Sequence, residues 1–208
     1  MEPTLDPGLS SSLVADQCAA IATIAALRTG RFDATIEYGD GTSLTVCVRF
    51  DLGGDAVSPR LQTRASIRRA DAARVVGESI LIGERVWRRV PQGRWVAVAP
   101  SGIARVPGES VRRTVQALLP SLAGMAAPVG ERRADRTVLR WHDDTINAAI
   151  ALELEPVGGL PRSFRRETRS TGTVLLVRYA EWNGPVDIAP PDGLCDTVWS
   201  DIAPSVPA

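Results

Sequence analysis

The sequence contains no lysine. All 24 of its cations are arginine, set against 24 carboxylates and a single histidine, so the net charge is zero. That balance excludes a generic nucleic-acid binder, which needs surplus cations to displace counterions from phosphates. One histidine, His142, cannot build a His-rich metal site. The three cysteines, Cys18, Cys47 and Cys195, form no CxxC or Cys/His cluster, and three in a chain of 208 residues do not make a disulfide scaffold. No run of 18 apolar residues occurs, so no transmembrane helix is encoded. The glycine patterns that cradle phosphates and the GxSxG turn that presents a catalytic serine are absent too. His142 precedes Asp143 and Asp144, but carboxylates are common turn formers, and a strand-end histidine is the simpler reading. Glu153 and Glu155 share a strand face as a solvated pair rather than as glycosidase carboxylates. These absences point away from an enzyme, and no metal or cofactor is expected.

What is present is enough apolar residue, 44% of the chain, for a substantial core. Charge is spread unevenly. Residues 1–59 hold 3 Arg and 8 acids, residues 60–140 hold 16 Arg and 6 acids, and residues 141–208 hold 5 Arg and 10 acids. A basic face from the middle segment would suit an anionic membrane surface. The alternation of Arg with apolar residues also lets the acidic flanks neutralise it. The opening stretch MEPTLDPGLSSSLVADQC has no cation before Arg28, so it lacks the basic region of a signal peptide. Gln17 is too large for the position before a lipobox cysteine, and Cys18 is expected to be a buried helix residue.

Residues 1–9 read as an extended leader. Ser10 to Ser12 offer an N-cap and Gly30 a C-cap. Between them Val14, Cys18, Ile21 and Ala25 recur at helical spacing, with Leu13, Ile24 and Leu27 widening the stripe. The period then changes to two. Phe32, Ala34, Ile36 and Tyr38 alternate with polar residues, as do Leu44, Val46, Val48 and Phe50 after the turn at Gly39–Gly41. Further short runs follow, ending with ERVWRRV and RWVAVA around the Pro91–Gly93 turn, so residues 31–98 predict about six consecutive strands. Residues 99–108 predict a loop, and residues 109–124 a helix with Val111, Val115, Leu118, Leu119 and Leu122 on one face, kinked by Pro120. About four strands then run from residue 136 to residue 182, before a Pro-rich tail.

The predicted fold class is α+β and mainly β: a strongly curved antiparallel half-barrel of about ten strands, closed by the N-terminal helix and the mid-chain helical insert. Residues 10–191 form one domain, flanked by the leader and by a tail over 192–208. A sheet of this shape encloses an apolar cavity against its helices. Candidate lining residues, taken from the alternation, are Tyr38, Phe50, Ile67, Trp87, Trp95, Ile150 and Leu152, with Leu118 and Leu122 from the insert. Trp87 and Trp95 are expected as cross-strand neighbours on the cavity wall.

This order of elements resembles the LolA/LolB-like lipoprotein carriers, including the LppX/LprG-like lipoproteins. The resemblance rests on the opening helix, the meander, the hairpin ERVWRRVPQGRW and the mid-chain insert. It rests also on the ending Trp182-Asn183-Gly184-Pro185-Val186-Asp187-Ile188-Ala189-Pro190, and it covers residues 10–191. It implies a monomeric, non-enzymatic binder of a lipid, an acyl chain or a lipoprotein anchor, placed in the cell envelope outside the cytoplasm. The alternative is an envelope regulatory module that shares the fold and meets a protein partner instead of a lipid.

Overall fold

The computed structural model describes residues 7–53, 58–69, 72–98, 115, 119, 122, 125–192 and 194–195. Helix α1 (Pro7–Ala26) gives way to sheet where the hydrophobic period changes. A first meander runs through β1 (Thr29–Glu37), β2 (Ser43–Asp51), β3 (Arg60–Arg69), β4 (Ala72–Ile82), β5 (Arg85–Arg89) and β6 (Trp95–Val98). A second runs through β7 (Val129–Arg132), β8 (Thr137–Asp143), β9 (Ala148–Leu154), β10 (Pro161–Thr168) and β11 (Thr173–Ala180). Within each meander neighbours pair antiparallel, as short turns require. Gly83, at φ 61°, takes the first position of the two-residue turn between β4 and β5, where a positive φ favours glycine. The meanders meet where β1 pairs with β11, from Arg31–Ala180 to Glu37–Val174. The result is one curved, unclosed sheet in the order β12-β6-β5-β4-β3-β2-β1-β11-β10-β9-β8-β7. The last strand, β12 (Leu194–Cys195), runs parallel to β6 at the edge.

The half-barrel expected from the sequence is therefore the fold observed, with two strands more than alternation revealed. Strand β7 is four residues long and carries a glycine and two charges, so it shows no period. Strand β12 sits in the Pro-rich tail.

Residues directly opposite one another on antiparallel strands share a face. Following the register outward from Phe32 labels an inner face carrying Phe32, Ala34 and Ile36 of β1, Val48, Val46 and Leu44 of β2, and Tyr179, Val177 and Leu175 of β11. It continues through Phe164, Leu152 and Leu139 of the second meander. Helix α1 covers this face. Leu27 packs with Phe32, Phe50, Leu61 and Tyr179, while Leu13 and Ala20 pack with Leu139, Trp141, Ile150 and Leu152. Arg132 of β7 makes a two-pronged ion pair with Asp16 of α1, at 2.7 and 2.5 Å.

Helix α1 differs from its sequence reading at its start, in its buried stripe and in its cap. It begins at Pro7 rather than after Ser12, so residues 7–9 are helix and not leader. Proline is tolerated in the first turn because its missing N–H has no helical partner there. The buried stripe is Leu13, Gln17, Ala20 and Leu27, with Ile24 beside it, whereas Val14, Cys18 and Ala25 are exposed. Both stripes satisfy a 3.6-residue period, and the polar Gln17 hid the true one. Its amide donates to the Leu122 carbonyl at 3.3 Å, which permits the burial. Gly30 caps nothing; it is a buried residue of β1.

The insert is described at three points. The Leu119 N–H donates to the Val115 carbonyl at 3.0 Å, the spacing of a helical turn, and Val115, Leu119 and Leu122 are buried against the inner face. Residues 1–6, the loop over 99–108, Leu118, Pro120 and the tail beyond residue 195 lie outside the described residues.

The closing motif works as a clasp. Glu181 and Asn183 turn the chain at φ 56° and 52°. The Asn183 side-chain oxygen accepts from the Arg28 N–H at 3.0 Å, and the Asn183 N–H donates to the Thr29 carbonyl at 3.0 Å. Trp182 stacks on Tyr179, with ring centroids 5.1 Å apart, and its Nε1–H donates to the Pro161 carbonyl at 2.8 Å. Gly30 makes room for that indole. A Cβ there would lie 2.8 Å from the Trp182 ring and 3.0 Å from the Phe50 ring. Gly30→Ala is expected to destabilise the protein by about 1–3 kcal/mol through overpacking, read as a lower midpoint in urea unfolding.

Candidate functional site

The inner face is packed at one end and half-open at the other. At the packed end Phe32, Val48, Phe50, Leu61, Val177 and Tyr179 are buried beneath Leu27, Val115 and Leu119. Phe32 meets Phe50 and Tyr179 at centroid distances of 6.1 and 5.9 Å. Burial pushes the Tyr179 phenol far above its ordinary range, so it stays neutral. Two to four residues along the same strands, burial falls. Ile36, Leu44, Ile67 and Leu175 stand in one cross-strand row and are only partly covered. A run of large aliphatic side chains left half-covered on the concave side of a sheet is where an apolar ligand would find contact.

The candidates from the sequence separate onto different surroundings. Ile150 and Leu152 are buried in the packed second meander with Leu122, Leu139 and Trp141. Phe50 has no exposed surface and fills the packed end. Ile67 lies in the half-open row. Tyr38 follows the end of β1 and is 43% exposed beside the β1–β2 turn.

Trp87 and Trp95 are on the other side of the sheet. The register pairs Trp87 with Ile80 and Ala97, and carries both tryptophans onto the outer face. There they cluster with Ile80, Ile82, Val186 and Ile188, and are diagonal rather than directly opposed. They do not line the inner wall. The reason lies in β4, where Ile80, Leu81 and Ile82 are apolar in succession because both faces are covered. Leu81 faces the core, and the chain after the clasp crosses over Ile80. The Ile188 carbonyl accepts from Arg60 at 3.0 Å on that outer face. The row members that sequence reasoning missed as candidates are Ile36 and Leu44, in alternating runs, and Leu175, in the continuous apolar run Val174–Val177.

Elsewhere the outer face is polar. A groove of about 400 Å³ is lined by Arg31, Arg49, Gln62, Arg64, Arg89 and Trp95, among others. Glu78 pairs with both Arg64 and Arg89, and Arg89 lies over the Trp95 ring at 4.8 Å. Cys47 beside it is held above its ordinary pKa by burial and by the neighbouring Asp33. His142 is an exposed outer-face residue, 3.3 Å from the exposed Asp144. Among the described residues no cluster of His, Cys, Asp and Glu could hold a metal ion.

With this geometry in view, the comparison with solved structures is informative. LprF from Mycobacterium bovis superposes with a TM-score of 0.60 at 13% identity, covering 89% of this chain and 98% of LprF. The Mycobacterium tuberculosis lipoprotein LppX superposes at 0.52 and 8% identity, covering 86% of this chain and 99% of LppX. The chain has the LppX fold. The resemblance read from the order of elements is thus one of architecture, carried across nearly the whole length of both relatives. No protein-family model and no curated protein matches the sequence.

The packing gradient is testable by substitution. Phe50→Ala is expected to cost about 3–5 kcal/mol, the usual value for a fully buried ring. Ile150→Trp should cost about 1–3 kcal/mol because its surroundings are filled. Ile67→Ala, in the half-open row, should fall clearly below the Phe50→Ala value. Equal losses at Phe50 and Ile67 in denaturant titrations would show that the inner face is packed uniformly.

Proposed function

We propose that this protein binds, without chemistry, the acyl portion of a lipid or of an acylated lipoprotein on the inner face of its half-barrel. The single observation that carries the proposal is the half-covered row Ile36, Leu44, Ile67 and Leu175, continuous with a fully apolar core. Burying acyl carbons there yields about 0.8 kcal/mol per methylene, so a sixteen-carbon chain contributes about 12 kcal/mol before ordering costs. Such a site needs no nucleophile and no acid–base pair. The likeness to LppX, a lipoprotein, supports the same reading, and with it we propose a place at the cell envelope, outside the cytoplasm.

Native mass spectrometry of gently purified protein, with organic extraction of what co-purifies, tests the proposal. A stoichiometric lipid adduct is expected. A clean apo mass, with no uptake of added phospholipid or lipopeptide, would overturn it. Leu44→Trp should place an indole across the open row and lower uptake of added lipid at least several-fold. Its unfolding midpoint should stay close to that of the parent chain, because the site is only partly buried.

A further inference from the structure

The half-open row does not end in aliphatic residues. Following the register across the sheet, its line reads Trp141, Ile150, Arg166, Leu175, Ile36, Leu44, Ile67 and Arg74, from β8 to β4, with Trp141 and Ile150 buried and the rest at least partly exposed. Arg166 therefore sits on the inner face, flanked by Ile150 on one side and Leu175 on the other. Phe164 lies two residues before it on the same face. Arg166 is solvent-exposed, and its guanidinium makes no hydrogen bond or ion pair among the described residues.

Arg74, at the other end of the row, is likewise exposed and without an ion pair among the described residues, whereas several arginines elsewhere on the sheet are paired. Arg165, one residue from Arg166 on the outer face, pairs with Glu167 at 3.0 Å. Arg31, Arg64, Arg89 and Arg132 also have carboxylate partners. Among the described residues of β8 to β11, the only inner-face carboxylate is Asp143, two strands from β10. Strands lie about 4.8 Å apart, so this is about 10 Å of sheet. Asp143 already accepts the Thr145 N–H at 2.9 Å. A guanidinium without a counter-ion, at the exposed margin of an apolar surface, is complementary to an amphiphile with an anionic head. The tail would lie on the aliphatic row, and the planar fork would take two oxygens of the head.

We propose that Arg166 binds the anionic head group, a carboxylate or a phosphate, of the acyl ligand held on the inner face. The ligand class is then an anionic lipid rather than a neutral one. This rests on the acyl-binding reading above and adds a polarity and an orientation to it.

The test uses the full chain and four probes in matched pairs. Palmitate is compared with methyl palmitate, and phosphatidylglycerol with diacylglycerol. Each is titrated against the parent protein, Arg166→Gln, Arg166→Lys and Arg49→Gln. Arg49→Gln removes the same charge from the outer face, where Arg49 stands exposed and away from the inner row. The parent chain is expected to bind the anionic member of at least one pair about tenfold more tightly. The pair that shows the preference tells carboxylate from phosphate. Arg166→Gln should abolish the preference while binding of the neutral probe persists. Arg166→Lys should retain part of it, Arg49→Gln should retain all of it, and added salt should weaken it.

Equal affinity for charged and neutral probes overturns the head-group assignment and leaves acyl binding standing. So does a preference that survives Arg166→Gln, or one lost equally in Arg49→Gln. No binding of any probe overturns acyl binding itself, and this assignment with it.

Discussion

Everything in this structure depends on the pairing of β1 with β11. Without it the chain would make two separate meanders, each with one apolar face and neither with enough partner surface to bury it. The two strands are brought together across about two thirds of the chain's length, from Arg31–Ala180 to Glu37–Val174. Closing a loop of that size costs about 4 kcal/mol in its length-dependent part. The cross-strand pairs Phe32–Tyr179, Ala34–Val177 and Ile36–Leu175 offset this on the inner face. Phe32, Val177 and Tyr179 are nearly fully buried, and burial of each large apolar side chain is worth about 1.5–3 kcal/mol. The clasp at Trp182 and Asn183 then secures the same junction from its end. It ties the exit of β11 to the entry of β1 through the Arg28 N–H and the Thr29 carbonyl. The requirement for glycine at position 30 is a consequence of this junction, since the indole closes over that backbone.

The junction also decides where packing is tight. Helix α1 delivers Leu27 directly above Phe32 and Phe50, so the core is densest beside the clasp. Moving along the same strands away from it, burial falls and the aliphatic residues keep part of their surface. One sheet face thus contains both a folding core and a surface suited to a ligand. Stability is concentrated at the end that does not have to open.

Much of this was legible in the sequence, for a physical reason. Strands that bury one face must alternate, and turns that connect neighbours must carry glycine, proline or asparagine. The six strands of the first meander and the four of β8 to β11 could therefore be counted directly. What alternation cannot supply is sidedness. Leu13–Gln17–Ala20 and Val14–Cys18–Ile21 are equally helical stripes, and only contact with Leu122 and the sheet makes the first the buried one. Trp87 and Trp95 carry the same ambiguity. They occupy alternating positions beside a legible turn, yet the register from β4 turns them outward onto Ile188. Their partner comes from a segment about 100 residues further along the chain, which local periodicity does not reach. Arg166 was hidden differently. In the run Arg165-Arg166-Glu167 it looks like one of three solvated charges, and only its opposition to Ile150 and Leu175 places it apart from the other two.

The distribution of charge then bears on function more directly than its total. The net charge is zero because 24 arginines equal 24 carboxylates in number, and on the outer face some of them share an acid, as Arg64 and Arg89 do Glu78. Removing lysine from the composition leaves every cation with a planar fork, well suited to such shared pairing. On the inner face Arg166 meets no acid among the described residues, whereas Arg132 at the β7 edge meets Asp16 of α1. A cation kept at the margin of an aliphatic row gains little for folding, since it neither packs into the core nor pairs across the strands. Its position becomes intelligible once the missing counter-charge is assigned to something that arrives with an acyl chain.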